Sequence, residues 1–187
     1  MCGRLFLKRT GMIEINLYEV AGFVSALKAL HLPFGKGCES FADAETVKGN
    51  DDLIGTWHVN IFAKDEKLLR TLIAAGDEHA KVIRGIVAYL EINAPRYWWA
   101  EMDTYRIGRE QLSSESTMHI QGKGLKEDEL VKMKSELKEG TMQKRVVMLS
   151  YQTIRRIISQ RRNHRLPEWR EFCRWAIDYL PYSWILE

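Results

Sequence analysis

The stretch that most constrains the fold of this chain lies near its centre, where two periodicities meet at a proline. Ile86, Ala88, Leu90 and Ile92 alternate with Val87, Tyr89 and Glu91. That is the period of a strand with one buried face, and it predicts a strand over 83–93. Asn93-Ala94-Pro95 follows. Proline suits the first turn of a helix, where its missing N–H costs nothing. The pattern then predicts a helix over 95–105 carrying Tyr97, Trp98, Trp99, Met102 and Tyr105. A strand that runs directly into such a helix calls for an α+β fold, with an antiparallel or mixed sheet and helices packed on it.

The flanking segments supply the other layers. Residues 12–18 alternate as a strand, with Ile13, Ile15 and Leu17 on one side, and residues 1–11 read as an extension before it. Val20, Phe23, Val24 and Leu27 then repeat at helical spacing, which predicts a helix over 19–30 stopped before Pro33. Residues 35–55 read as a long surface loop and 57–62 as a short strand. A helix over 65–75 has Asp65 as its expected cap and Gly76 at its end. Residues 108–124 read as a loop, 127–139 as a charged helix ended by Gly140, and 150–162 as a helix burying Tyr151, Ile154, Ile157 and Ile158. Pro167 opens a last helix and Pro181 stops it. One domain over 12–187 is expected.

Composition removes several classes. With 45% hydrophobic and 28% charged residues, the chain has the balance of a globular protein rather than a disordered one. No apolar run approaches the ~20 residues needed to span a bilayer, so no membrane partner is expected. The first residues lack the pattern of a secretory signal. Three widely spaced cysteines, Cys2, Cys38 and Cys173, suit neither a disulfide scaffold nor a zinc ribbon, and a reducing, cytoplasmic location follows. The five histidines include no helical pair at metal-ligand spacing, so no metal is expected. There is no P-loop, no Rossmann glycine pattern and no nucleophile elbow. Cys173 falls on the apolar face of a helix, as core packing would place it.

Charge is uneven. The net charge is only +3, yet Arg155, Arg156, Arg161, Arg162, His164 and Arg165 crowd together. This run is either a solvated helix face or the contact for a phosphate-bearing partner, nucleotide or nucleic acid. The segment 94–119 also carries Arg106, Arg109, Ser113, Ser114, Ser116, Thr117 and His119. Arginine forks and short hydroxyl donors suit a nucleotide phosphate. A polar loop that caps its neighbours would have the same composition.

Several strings taken in order resemble the flavin-dependent thymidylate synthases, the thymidylate-synthase-complementing family. In that family a helix ending in glycine precedes a strand that ends in Ala-Pro. An aromatic-rich helix then leads to RHRxxS and a serine-bearing substrate loop. Here Leu72-Ile73-Ala74-Ala75-Gly76 precedes the strand and Ala94-Pro95. Counted on without gaps, the RHR place falls on Thr104-Tyr105-Arg106, the loop serine on Ser114 and the following arginine on Ser116. Residues 29–34 resemble an early Ala-x-Arg-Val-Ser-Phe string. Arg145 before Val146-Val147 resembles a substrate-contacting arginine. Arg161 sits where the family's pyrimidine-polarising arginine stands, and Glu168-Trp169-Arg170-Glu171 resembles its Gln-Trp-Glu motif. The likeness departs from the pattern at Thr104, Tyr105 and Ser116, and Arg84 and Gly85 stand in the Glu-His places after His79. Each change removes a contact expected for flavin or phosphate.

The resemblance implies an enzyme that alkylates C5 of a pyrimidine nucleotide, dUMP or a related one. FAD would carry the reducing equivalents, with NADPH and methylenetetrahydrofolate as further cofactors. Arg161 would be the catalytic cation against the uracil carbonyl edge. Arg106, Ser114, Ser116 and Arg145 would bind the phosphate, and His79, Tyr105 and Arg165 would line the flavin. The family builds each flavin site from several subunits. The helix bearing Tyr97, Trp98, Trp99 and Met102 is also apolar around much of its circumference. A homotetramer in which a second chain covers the tryptophans is therefore expected, against a monomer that covers them with the 35–55 loop. The alternative function is a catalytically altered relative that binds nucleotide, nucleic acid or a protein partner.

Overall fold

The structure, a computed structural model, describes residues 12–35 and 61–187, together with the backbone of three short strands in the remainder. In chain order the elements are β1 (Lys8–Thr10), β2 (Ile13–Ala21), α1 (Phe23–His31), β3 (Thr46–Lys48), β4 (Trp57–Val59) and α2 (Ala63–Ala74). There follow β5 (Val87–Pro95), α3 (Arg96–Met102), β6 (Arg109–Ser114), α4 (Thr117–Ile120), α5 (Glu127–Ser135), β7 (Met142–Ser150), α6 (Tyr151–Arg161) and α7 (Pro167–Tyr179). Among the described residues five strands form one antiparallel sheet in the order β1-β2-β5-β7-β6, and β3 pairs separately with β4. The fold is α+β, as the sequence predicts.

β5 is the central strand. Its Leu90 lies opposite Leu17 on one side and Val147 on the other. Ile86, Ala88, Leu90, Ile92 and Ala94 are fully buried, while Val87, Tyr89, Glu91 and Asn93 are half-buried on the opposite face. The alternation thus marks a sheet with helices on one face only. Pro95 holds an extended backbone, φ −62° and ψ 150°, and α3 starts at the next residue. The helix must therefore lie over the sheet it has just left. Trp98 and Trp99 are completely buried within the one chain. Trp98 packs on Trp169 and Phe172 of α7, with ring centroids 4.7 and 5.9 Å away, and meets Trp99 edge-on at 5.0 Å. Trp99 Nε1 donates to the carbonyl of Gln143 on β7 at 2.8 Å.

This arrangement corrects the expectation that a second chain covers the tryptophans. The sheet covers one side of α3 and α7 covers another, and sequence periodicity within α3 could not reveal the return of a helix seventy residues later.

Other boundaries shift for physical reasons. β2 runs on to Ala21 because its pairing with β5 continues to Ala21–Val87, past a register shift between Leu17 and Glu19. The helical periodicity from Val20 is overridden, and α1 starts after Gly22. Residues 81–84 form a turn of 3₁₀ helix, so β5 begins at Val87. Asp65 does not cap α2; Phe62 is the N-cap residue, and Asp65 is buried with a carboxylate oxygen 2.6 Å from His31 Nε2. Residues 109–114, read as loop, are the edge strand β6, whose exposure along its length hides any alternation. β7 was not anticipated at all, because only its last third is buried. α5 is shorter than expected and ends at Ser135. Of the expected loop 35–55, Thr46–Lys48 is the strand β3, and Lys8–Thr10 of the expected extension is β1; the rest of both segments lies outside the described residues.

Gly22 marks the strand-to-helix corner. Its φ is +91°, and a Cβ there would lie 1.9 Å from the carbonyl oxygen of Gly85. Both the left-handed backbone and the close approach demand glycine. Gly22→Ala should lower the unfolding free energy by about 3 kcal/mol or more, since strain and a backbone clash add. Urea unfolding of the variant beside wild type measures it.

Candidate functional site

Of the polar residues that the sequence singles out, Tyr105, Arg109, Arg145 and Arg161 gather around the C-terminal end of α3. Three consecutive alternate side chains there, Glu101, Asp103 and Tyr105, reach two different clusters. The chain then passes over the start of α6. Gly108, at φ +70°, leaves room for Ser150 and Thr153, whose hydroxyls would lie 2.4 and 2.5 Å from a Cβ. The Gly108 carbonyl accepts from Ser150 N at 2.8 Å, and Thr153 Oγ1 donates to the Ile107 carbonyl at 2.8 Å. These bonds aim β6 back along β7.

The first cluster joins α3, α6 and α7. Arg161 Nη1 lies 2.7 Å from Glu101 Oε2, and its Nε donates to Tyr105 Oη at 3.1 Å. Its guanidinium lies 4.9 Å above the Trp169 ring and 5.9 Å above Tyr105, and Nη1 is 2.7 Å from His164 Nε2. Trp169 Nε1 donates to the same Glu101 oxygen at 2.9 Å. Tyr105 is buried and donates to Gln160 Oε1 at 2.9 Å. Arg161 is thus held inside the chain, with a carboxylate for its partner.

The second cluster lies on the helix-bearing face of the β6–β7 edge. Ser114 stands directly opposite Arg145, and Arg109 opposite Leu149. Arg145 Nη1 lies 3.2 Å from each Asp103 oxygen and 2.9 Å from Gln111 Oε1, and its guanidinium stacks 4.6 Å over Trp99. Arg109 Nη2 is 2.6 Å from Asp103 Oδ1. Two cations therefore share one carboxylate, and Arg109 Nε is buried with no hydrogen-bond partner among the described residues.

The other expected residues stand apart. Ser116 caps α4, accepting from His119 N at 3.4 Å. Arg106 is exposed on the turn before β6. Arg165 is exposed, and its carbonyl accepts from Arg170 at 2.9 Å. His79 lies on an exposed turn whose Asp77 is tied to Arg155 at 2.8 Å. No contact among the described residues joins His79 to Tyr105 or Arg165. Within one chain these three side chains do not form a site that fits FAD, because Tyr105 is buried with its hydroxyl already engaged and the other two are exposed without a contact to it. Among the described residues no group of three His, Cys, Asp or Glu side chains is placed to hold a metal, and none of the helices is long and apolar enough to cross a membrane. Cys173 is buried, and burial pushes its thiol up to about 12 against the pull of Arg162 and Arg161. An open groove of about 490 Å³ along α5, lined by Leu125, Lys132, Met133 and Leu137 among others, contains none of the expected residues.

No protein-family model and no curated sequence matches the chain. Comparison of structures is decisive. The fold is that of flavin-dependent thymidylate synthase. A crystal structure of flavin-dependent thymidylate synthase ThyX from Helicobacter pylori, complexed with FAD and dUMP, superposes with a TM-score of 0.65 over 92% of this chain and 97% of that one, at 13% identity. A second structure of Helicobacter pylori ThyX with FAD and dUMP gives 0.67 over 94% and 98%, at 12% identity. The resemblance drawn from the order of motifs therefore holds for the ThyX fold. The sequence reading named Ser114 and Arg145, which lie opposite each other across β6 and β7. It named Arg109 only as part of a polar segment and missed Asp103, Gln111 and Glu101. Acidic residues beside a presumed phosphate site look like surface charge until the chain is folded.

Two predictions follow from these contacts. Arg161→Ala and Glu101→Ala should be non-additive, with a coupling of about 1–2 kcal/mol once their partial exposure is discounted, measured by a double-mutant cycle in urea. Tyr97 donates a hydrogen bond to the buried Glu168, and that bond, with burial and the negative charge, pushes the phenol up to about 12. A phenol raised above its ordinary value near 10 stabilises the fold below that value, and the contribution is lost as pH rises from 10 towards 12. Tyr97→Phe should flatten the fall of stability over that range, while the remaining slope reflects Tyr151, which burial also raises.

Proposed function

We propose that this chain is a thymidylate-synthase-like protein that binds a pyrimidine nucleotide, dUMP or a related one, on the ThyX fold. The observation that carries the reading is the pairing of Ser114 with Arg145 across β6 and β7, with Arg109 reaching the same Asp103 carboxylate as Arg145. That places a hydroxyl and two guanidinium groups at one sheet edge, where a phosphate would be gripped by charge-assisted bonds. Arg161 and Tyr105 meet at the same helix end through Glu101 and each other, and in this reading they would face the base. Residues 12–187 would act as one domain.

The finer reading is C5 methylation, with FAD, NADPH and methylenetetrahydrofolate as cofactors, Arg161 as the catalytic cation and a cytoplasmic location. FAD belongs to this reading only if subunits of a homotetramer bring His79, Tyr105 and Arg165 of different chains together. A specific observation favours the second reading, a relative that binds nucleotide without this chemistry. Arg161 is neutralised by Glu101, which weakens the field that a cation could offer to a developing enolate. Nucleic acid as ligand is the weaker form of that alternative.

The purified protein, scanned for flavin absorbance and titrated with dUMP by thermal shift and calorimetry, tests the proposal. Nucleotide binding is expected, and Arg145→Ala should weaken it by about 10- to 100-fold. NADPH-dependent dTMP formation by yellow protein would select the enzyme. Nucleotide binding by colourless, inactive protein would select the altered relative. No binding of any pyrimidine nucleotide would refute both.

A further inference from the structure

The second cluster has a property that a simple phosphate site lacks: it already holds an anion. The Asp103 carboxylate lies 2.6 Å from Arg109 and 3.2 Å from Arg145, where the oxygens of a ligand phosphate would have to sit. Arg109 and Arg145 are nearly buried, with side chains 10% and 15% exposed, whereas Asp103 is 45% exposed. The cations are therefore the enclosed part of the cluster, and the carboxylate is the part that solvent and an incoming anion can reach. Arg109 Nε points to the same conclusion. It is a buried donor with no partner among the described residues, and a buried guanidinium N–H left unpaired is a cost that a ligand oxygen would relieve.

We propose that Arg109 and Arg145 form a phosphate-monoester site that Asp103 keeps closed, so that the chain selects dianionic terminal phosphates over phosphodiesters. Any incoming anion competes with a tethered carboxylate at high effective concentration. A phosphodiester replaces one negative charge by one negative charge and gains nothing. A monoester brings close to two charges and three acceptor oxygens at neutral pH, enough for both guanidinium groups and the unpaired Nε. Gln111, which accepts from Arg145 at 2.9 Å, and the stacking of Arg145 on Trp99 hold the fork in place while the anions exchange. The inference rests on the nucleotide reading above for the identity of the ligand, and it disfavours nucleic acid, whose internal phosphates are diesters.

Calorimetric titration of the full chain with inorganic phosphate, dUMP and dimethyl phosphate separates the possibilities. Wild type should bind inorganic phosphate and dUMP but not dimethyl phosphate. Asp103→Asn should bind inorganic phosphate tighter by on the order of tenfold and should gain affinity for dimethyl phosphate, since the resident charge is gone. Arg109→Gln should lose inorganic phosphate. Asp103→Ser serves as a second removal of the charge, and thermal unfolding confirms that each variant is folded. An Asp103→Asn or Asp103→Ser protein that binds phosphate no more tightly than wild type overturns the inference, as does undiminished binding by Arg109→Gln. Binding of inorganic phosphate with this pattern, but no binding of dUMP, supports the site and refutes the pyrimidine reading. Binding of dUMP that ignores Asp103 and Arg109 does the reverse.

Discussion

Everything in this molecule hangs on β5 being paired on both edges while one of its faces is wholly apolar. With Ile86, Ala88, Leu90, Ile92 and Ala94 all buried, that face must be covered. Pro95 ends the ladder and turns the chain at once into α3, so the first cover available is the next segment of the same chain. The aromatic side chains of α3 then set where α7 can lie, because Trp98, Trp169 and Phe172 fill one another's surfaces. Burying three such rings together contributes several kcal/mol, on the scale of 1.5–3 kcal/mol for each large apolar side chain. The end of α3 is in turn the hub of both polar clusters. The position of the site is thus a consequence of the packing of the sheet.

Electrostatics at the hub follows one rule. Each partly buried arginine is given a carboxylate from α3, Glu101 for Arg161 and Asp103 for Arg109 and Arg145. A guanidinium withdrawn from water without such a partner would cost several kcal/mol. The pairing stabilises the folded chain and at the same time lowers the attraction it offers to an outside anion. Thr104 and Tyr105, which the sequence resemblance puts at the family's Arg and His places, carry no charge. The balance at the helix end is set by these pairs, two carboxylates against three guanidinium groups.

What could be read from the sequence was whatever a local period or a covalent constraint determines. The alternation along β5, the proline-opened helices α3 and α7, and the buried stripe of α6 were legible because burial on one face imposes a repeat on the chain itself. The order of these elements, with Ala94-Pro95, Ser114, Arg145 and Arg161 among them, was enough to point to the ThyX fold. What escaped was whatever depends on a partner distant in sequence. β6 is exposed along most of its length and much of β7 is half-exposed, so no repeat marks them; they are strands because their backbone groups find each other across the sheet. Asp65 reads as a helix cap, yet it is drawn inward by His31 of α1. The two tryptophans of α3 read as an uncovered surface, and only the return of α7 shows them enclosed. Arg109 and Asp103 are six positions apart on different elements, and no spacing rule relates them. Local sequence sets the conformations that each segment prefers, but a site is made by contacts between segments, and those were decided only when the sheet closed around β5.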